Sequence, residues 1–177
     1  MPGVFGTTFP YWHQMGLPAD TNEEVLVEKA LFDLEFLLAT ETNPKDTAAI
    51  VIEPVLGEGG YVPAPESFLK GLREICDKYE ILLAIDEVQT GYGRTGTTFA
   101  IEESGVKPDI LVFAKGLANG FPLSGISGPE KIMKAMTPGT QGGTYSGSAI
   151  SCSAAIAVHK VFKEENILEN VKFRYVK

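Results

Sequence analysis

The chain has 177 residues, of which 44% are hydrophobic and 21% are charged. This length suits one domain or one large piece of a bigger protein, and the composition is that of a globular chain, which excludes the disordered and fibrous classes. Fifteen lysines and arginines against 23 aspartates and glutamates give a net charge of −8. Because such a charge repels phosphate backbones and anionic lipid surfaces, we expect neither a nucleic acid nor a membrane as a partner.

Cysteine and histidine usage predicts neither a disulfide framework nor a metal site. The two cysteines, Cys76 and Cys152, show no CxxC spacing, and the two histidines, His13 and His159, fit no ligand spacing. The first residues carry no visible secretory or transit signal. We therefore expect the cytoplasm as the compartment, and a mitochondrial location stays open if an N-terminal segment is missing.

The first predicted elements along the chain are a helix and a strand. Residues 21–38 begin with Thr21 and Glu24 at the spacing of a capping box, and apolar residues then recur at helical intervals. Residues 48–53 form a β-branched run, AAIVIE, that holds no charge until its last residue. This run predicts a buried strand.

Helical and strand patterns alternate along the rest of the chain. After a glycine- and proline-rich loop, one apolar face predicts a helix over 66–79, and buried strands are predicted over 81–86 and 109–114. A glycine-rich run follows, and then a helix over 146–162 whose many alanines and serines suit close packing on a sheet. This alternation is typical of the α/β class, with a mostly parallel sheet covered by helices.

An ionisable residue stands at the end of each predicted strand. Glu53 and Asp86 are the last residues of the first two strands, and Lys115 follows the third directly. Ligands of open α/β sheets bind at the carboxyl ends of the strands. We therefore expect these three side chains to converge on one site, although any one of them could also be a solvated strand end.

Lys115 is the most informative of the three residues. It is flanked by ILVFA and by GLANGFPL, an apolar and backbone-rich setting in which desolvation disfavours the ammonium form and favours a Schiff-base nucleophile. A lysine that reaches into solvent is the alternative. Asp86 would complement a nucleophilic lysine, since a buried carboxylate keeps a heterocyclic nitrogen protonated, as pyridoxal phosphate requires.

Two nucleotide-binding interpretations compete with this one. ILLAIDE has the form of a Walker B strand, but the chain contains no G-x-x-x-x-G-K-[ST] segment to hold the phosphates. GYGRTG, at 91–96, contains glycines but lacks the G-x-G-x-x-G sequence that opens a helix after a strand. Both interpretations are disfavoured by these residues.

Three segments carry a resemblance to a known family. IVIEPVLGEGG, LLAIDEVQTGYGRTGTTFAIEESGVKPDILVFAKGLANGFPLSG and GGTYSG closely resemble the class III pyridoxal-phosphate aminotransferases of fold type I. The match runs from the early PYWH segment to the last predicted helix. The resemblance implies a homodimer that binds pyridoxal 5'-phosphate and moves an amino group from an ω-amino acid, such as 4-aminobutyrate, to a 2-oxo acid.

The resemblance also implies roles around the cofactor. Lys115 matches the lysine that holds the cofactor as an internal aldimine and shuttles a proton, and Asp86 matches the partner of the pyridine nitrogen. Val88 matches the residue that packs on the ring face, and Gln89 the residue near the phenolic oxygen. Thr144 matches the hydroxyl that reaches the phosphate of the cofactor in the neighbouring subunit.

Two glutamates match positions near the substrate. Glu58 matches the gate glutamate that pairs with a distant arginine and releases it when an α-carboxylate must be held, and Glu53 matches a position close to the amine end of the substrate. A gate of this kind lets one site accept substrates with and without an α-carboxylate. Leu56 departs from the family pattern, because many relatives have glutamine there.

Family members are much longer, so residues 1–177 are expected to be a partial large cofactor-binding domain, without its phosphate loop and the small C-terminal domain. Three alternatives stay open. The first is another class III reaction, such as acetylornithine or ornithine transamination, an aminomutase or a phospholyase. The second is a non-catalytic truncated paralogue that binds or dimerises with a full-length enzyme. The third is that the sequence is an incomplete gene model.

Overall fold

The computed structural model describes residues 2–140 and 142–175. Its α-helices are α1 (Glu23–Thr40), α2 (Glu66–Tyr79), α3 (Glu130–Met133), α4 (Ala149–Glu164) and α5 (Ile167–Tyr175). Its strands are β1 (Ala49–Ile52), β2 (Val55–Leu56), β3 (Val62–Pro63), β4 (Leu82–Asp86), β5 (Ile110–Phe113) and β6 (Gly125–Ser127). Short 3-10 helices cover Pro44–Asp46, Ala100–Ser104 and Lys115–Leu117.

The strands form a four-stranded sheet in the order β1-β4-β5-β6 and a small antiparallel pair, β2 with β3. Strands β4 and β5 run parallel, with Ala84 opposite Ile110 and Asp86 opposite Val112, whereas β6 pairs with β5 in the antiparallel sense. The chain is a mixed α/β structure, which confirms the predicted class. The chain is divided into two compact units.

The first unit contains the chain up to Ile50 and the segment Val55–Leu83. Helices α1 and α2 pack on each other, and the Lys78 ammonium of α2 pairs with the Glu35 carboxylate of α1 at 2.8 Å. The apolar spacing of each helix creates the buried face that this contact needs. The core of the first unit is formed by buried apolar side chains at Phe9, Leu26, Val27, Ala30, Leu34, Leu38, Phe68, Leu69, Leu72, Ile75, Cys76, Ile81 and Leu83.

The second unit contains Val51–Pro54 and the chain from Ala84 onward. Its buried apolar residues are Ala84, Ile85, Ile101 and Ala118. Buried polar residues also occur in this unit, at Glu87, Thr90, Ser104 and Ser151. Buried polar groups need hydrogen-bond partners: the Thr90 hydroxyl donates to the Glu87 carboxylate, and the Ser104 hydroxyl donates to the Ile101 carbonyl.

The predicted helix over 66–79 matches α2 residue for residue, and the three predicted strands match β1, β4 and β5 with no end shifted by more than one residue. The antiparallel pair of β2 and β3, strand β6 and helix α3 were not predicted, because each segment has only two to four residues and lies among glycines and prolines. Helix α5 was not predicted either, although its nine residues contain neither glycine nor proline.

Three predictions about these elements are wrong in detail. The N-cap of α1 is Asn22, whose side chain accepts from the Glu24 amide at 2.9 Å, whereas the Thr21 hydroxyl donates to the Pro18 carbonyl. The first strand is not fully buried, since Val51 is 67% exposed. In helix α4, which the structure describes completely, only Ser151 is buried, so the expected close packing of its small residues is not observed.

No helix within the described residues is both long enough and apolar enough to cross a membrane.

Candidate active site

The carboxyl ends of β4 and β5 lie at the same edge of the sheet. Asp86 is the last residue of β4 and lies opposite Val112 of β5 in a parallel register. Lys115 follows three residues after Val112, directly beyond the end of β5. Parallel pairing therefore brings the predicted aspartate and the predicted lysine to one edge, which is where α/β sheets bind ligands.

Lys115 has an unusual backbone conformation. Its φ of +34° lies in the left-handed region, which residues other than glycine rarely adopt. The Nζ of Lys115 donates a hydrogen bond to the Oε1 of Gln89, although the two residues are 26 positions apart. Strained conformations of this kind persist where the surrounding structure holds them, and they cluster at functional sites.

The Lys115 side chain is exposed to solvent. The sequence predicts a desolvated lysine between apolar segments, and this prediction is wrong for the lysine in this structure. Its immediate neighbours on the strand, Phe113 and Ala114, are only partly buried. The amine is therefore accessible to a small molecule that approaches this edge of the sheet.

A tight turn follows Asp86. One carboxylate oxygen of Asp86, Oδ1, accepts from the amide of Val88 at 2.9 Å, which fixes the orientation of the carboxylate at the strand end. Val88 and Gln89 are partly buried, and they lead away from the strand in this turn. The structure thus brings together two pairs of predicted site residues, Asp86 with Val88 and Lys115 with Gln89.

The other predicted residues lie in three separate places. Glu53 follows β1 directly and is partly buried, and Thr144 is exposed in a turn before α4. Glu58 belongs to the first unit, where it is exposed in a tight turn that is closed by a bond of 3.1 Å from the Gly60 amide to the Gly57 carbonyl.

Sequence analysis missed Glu87 as a structural element of the site. This glutamate is completely buried, and its carboxylate accepts hydrogen bonds from the Thr90 hydroxyl and from the amides of Ala100 and Ile101 at 3.0 and 2.8 Å. The available signal was a second acidic residue, directly after Asp86 at the end of a buried apolar run, with a threonine three residues later. Its backbone partners are 13 and 14 positions away, so their identity was not visible in the sequence.

An aromatic cluster lies beside the lysine. The ring of Tyr92 packs edge-on against Phe99 and Phe113, with centroids 5.6 and 6.2 Å apart. Burial in this cluster raises the pKa of the Tyr92 phenol. Tyr92 also lies against Gly116, where an added Cβ would be only 2.9 Å from the Cβ of the tyrosine.

The second unit also contains an open cavity of about 450 Å³. It is lined by Tyr92, Arg94, Gly116, Asn119, Ala157, Val158, Val161, Phe162 and Ile167. Among the described residues that line this cavity, none is one of the seven predicted site residues. The cavity is therefore a feature next to the lysine segment and is not the space that the predicted residues enclose.

Comparison with known proteins gives consistent results. A family model described as Aminotransferase class-III matches residues 4–174. The 5-aminovalerate aminotransferase DavT of Pseudomonas putida is 47% identical over 96% of this chain, and the 4-aminobutyrate aminotransferase GabT of Escherichia coli is 49% identical over 80% of it. The chain spans only 42% and 33% of the lengths of these two relatives.

A solved structure extends the comparison to the fold. The taurine:2-oxoglutarate aminotransferase of Bifidobacterium kashiwanohense, solved in complex with PLP and glutamate, superposes with a TM-score of 0.89 at 34% identity. The superposition covers 98% of this chain and 40% of that enzyme. The sequence and the fold of this chain are therefore similar to the same portion of aminotransferases.

Proposed function

Since this chain belongs to the class III aminotransferase family, we propose that it supplies the cofactor-binding edge of a pyridoxal-phosphate-dependent aminotransferase. The enzyme transfers the amino group of an ω-amino acid, such as 4-aminobutyrate or 5-aminovalerate, to a 2-oxo acid. The observation that carries this proposal is the Lys115–Gln89 contact beyond β5, at the sheet edge where β4 ends in Asp86.

The residues at this edge fit the cofactor. An exposed primary amine at Lys115 is accessible to an aldehyde, and a carboxylate at Asp86 is held by the Val88 amide at a fixed orientation. Lys115 would hold the cofactor covalently, with Asp86 at the ring nitrogen, Val88 on the ring face and Gln89 near the phenolic oxygen. When bound, pyridoxal phosphate supplies an electron sink that stabilises negative charge on the substrate carbon.

Lys115 performs the proton transfer in this proposal. A neutral amine at Nζ still has N–H groups to donate to Gln89, so that this bond orients the nitrogen while its lone pair stays available to accept a proton from the substrate carbon. Positioning of this kind lowers the barrier, because the reacting groups are already aligned. The strained backbone at Lys115 is consistent with a side chain whose direction is fixed by the fold.

Asp86 would favour a protonated ring nitrogen on a bound cofactor. Its negative charge favours the protonated form of a heterocyclic nitrogen at close range. The hydrogen bond from the Val88 amide holds the carboxylate in one orientation at the strand end. A fixed charge that is oriented before the reaction contributes more to catalysis than one that must reorganise.

The substrate residues complete the proposal. Glu58 and Glu53 act near the substrate, with Glu58 as the gate for an arginine, and the exposed Thr144 reaches the cofactor phosphate of a second copy in a homodimer. The amino group leaves the donor as its carbon becomes a carbonyl, and it replaces the carbonyl oxygen of the 2-oxo acid, so no outside oxidant is consumed. Cysteine usage supports the cytoplasm as the compartment.

Covalent trapping tests the assignment of the lysine. We would incubate the purified chain with pyridoxal phosphate, reduce it with borohydride and map the modified lysine by mass spectrometry. Modification centred on Lys115 is the expected result, and Lys115→Ala removes it, whereas the matched control Lys131→Ala, at an exposed lysine of α3, does not. Labelling that is spread over the twelve lysines of the chain would overturn the assignment.

A donor panel tests the reaction. The protein that contains this chain is mixed with 2-oxoglutarate and, in separate assays, with 4-aminobutyrate, 5-aminovalerate, acetylornithine or taurine, and glutamate formation is measured. We expect the highest kcat/KM with an ω-amino carboxylic acid. Preference for acetylornithine would move the assignment to another class III reaction, and trapping at Lys115 without any turnover would favour a non-catalytic paralogue.

A further inference from the structure

Glu87 is a buried charged residue that the proposed chemistry does not use. Its exposed fraction is 0%, and both of its carboxylate oxygens accept hydrogen bonds. Oε2 accepts from the Thr90 hydroxyl and from the Ala100 amide, and Oε1 accepts from the Ile101 amide. A fully buried carboxylate is costly unless such donors surround it, so this arrangement requires a reason beyond the filling of space.

The carboxylate closes a loop. Ala100 and Ile101 begin the 3-10 helix Ala100–Ser104, and the first amides of a helix have no partner within the helix. Glu87 supplies the acceptors for these two amides from the other end of the loop. The backbone of Glu87 is itself held, because its amide donates to the Val112 carbonyl of β5 at 2.8 Å.

The closed loop touches the lysine segment at two points. Gln89 accepts the hydrogen bond of Lys115, and Tyr92 packs against Gly116, the residue that follows the lysine. The Tyr92 backbone is held within the loop by a bond of 2.7 Å from its amide to the Thr98 carbonyl. Any change that opens the loop at Glu87 therefore acts on Gln89, which contacts Lys115, and on Tyr92, which contacts Gly116.

We propose that Glu87 is a positioning residue that orients the Lys115 amine through Gln89 and Tyr92. The carboxylate touches neither substrate nor cofactor in this proposal, and it acts by fixing the loop from Glu87 to Ile101. The inference rests on the proposed function for its cofactor readout, and it predicts that a change at Glu87 alters the reactivity of one lysine selectively.

Glu87→Gln is the informative variant. Glutamine keeps the size of the side chain, but one acceptor oxygen becomes an NH₂ group that faces a backbone N–H of Ala100 or Ile101, whichever way the amide is turned. Glu103→Gln is the matched control, because it removes the same charge from an exposed position in the same 3-10 helix. Amide exchange at Ala100 and Ile101 reports directly whether the loop has opened.

The cofactor readout is the rate of trapping at Lys115. We expect Glu87→Gln to lower the maximal rate of pyridoxal-phosphate trapping at Lys115 by about 10- to 100-fold, since a displacement of about 1 Å has effects of this size. Glu103→Gln is expected to match the wild type. Trapping at the wild-type rate in a folded Glu87→Gln variant whose Ala100 and Ile101 amides exchange faster would overturn the proposal.

A second readout needs no cofactor. Reductive methylation with formaldehyde, measured in the same sample at Lys115 and at the exposed Lys131, has no requirement for orientation of the reagent. Loss of the Gln89 acceptor releases the Lys115 amine from its partner, so the ratio of methylation at Lys115 to methylation at Lys131 is expected to rise in Glu87→Gln and to stay at the wild-type value in Glu103→Gln. A folded Glu87→Gln variant with the wild-type ratio would contradict the proposal.

A milder pair of variants covers the case in which Glu87→Gln does not fold. Thr90→Ala removes one donor from the carboxylate, and Thr90→Ser restores a hydroxyl at the same position. We expect slower trapping at Lys115 in Thr90→Ala and recovery in Thr90→Ser, and equal rates in both would refute the inference. If the wild type is not trapped at Lys115, the proposed function fails, whereas the methylation ratio of Lys115 to Lys131 still decides the role of Glu87.

Discussion

Gly116→Ala tests the packing that supports the lysine segment. The Cβ of an alanine at this position would lie 2.9 Å from the Cβ of Tyr92, which is 0.5 Å short of the 3.4 Å at which ordinary contact begins. Tyr92 cannot move freely, because its ring packs on Phe99 and Phe113 and its amide is bonded to the Thr98 carbonyl. The substitution therefore overpacks a rigid contact, for which the expected cost is about 1–3 kcal/mol of unfolding free energy.

Urea unfolding measures this cost. With a slope of about 1–3 kcal/mol per molar urea, the Gly116→Ala midpoint is expected to fall by roughly 1 M. Borohydride trapping of pyridoxal phosphate at Lys115 is expected to slow as well, because the neighbouring backbone must shift. The control is Gly142→Ala, since an added Cβ there meets nothing within 4 Å.

The outcome that refutes this reasoning is specific. If Gly116→Ala unfolds at the same urea concentration as the wild type and Gly142→Ala, the Tyr92 ring is not held against the lysine segment. The proposed transmission from the loop to Lys115 would then lose one of its two contacts, and only the Gln89 bond would remain.

Three further predictions concern the core, the pH dependence and the site. Leu72→Ala removes a side chain that is 2% exposed in α2 and is expected to cost about 2–5 kcal/mol in urea unfolding. The Thr8 hydroxyl, which donates to Asp33 at 2.7 Å, is the main cause that lowers the pKa of this carboxyl, so Thr8→Val is expected to be less stable than the wild type by about 1 kcal/mol at pH 7. A lowered pKa stabilises the fold above the unfolded value of 3.8, so this difference is expected to disappear as the pH falls through the folded pKa of Asp33. Asp86→Asn keeps an acceptor for the Val88 amide but loses the charge, so trapping at Lys115 is expected to persist while the barrier to the proposed turnover rises by roughly 3–4 kcal/mol.

Each of these predictions has a contrary result. Val51→Ala, at a side chain that is 67% exposed, is the control for Leu72→Ala, and equal costs would contradict the assigned core. A Thr8→Val difference that stays constant down to pH 2 would mean that Asp33 does not titrate with the fold. Full turnover in Asp86→Asn would remove the aspartate from the cofactor site.

Local pattern in the sequence determined several elements of this protein. Helix α2 extends over the predicted residues 66–79, because its apolar residues recur on one face and buried side chains at Phe68 and Leu72 confirm that face. Strands β4 and β5 follow from short apolar runs, and the sequence already placed Asp86 and Lys115 at their ends. Periodicity and strand ends are properties of neighbouring residues, so one sequence is enough to predict them.

Contacts between distant residues were decided only by the tertiary structure. Lys115 bonds to Gln89 across 26 positions, and Glu87 reaches amides 13 and 14 positions away. The exposure of Lys115 also depends on what surrounds it in space, and its apolar sequence neighbours wrongly predicted desolvation.

Local backbone geometry and close packing decided two further details, the N-cap of α1 and the glycine in β6. Asn22, and not Thr21, caps α1, although both residue types accept amide hydrogen bonds well, because the choice depends on the backbone angles at the helix start. Strand β6 has a glycine at position 125, and an added Cβ there would lie only 2.8 Å from Cε2 of Phe113, its pairing partner in β5. The sequence therefore determined which residues stand at the strand ends, and the tertiary structure decided which side chains hold them there, because hydrogen bonds and packing depend on distances in space.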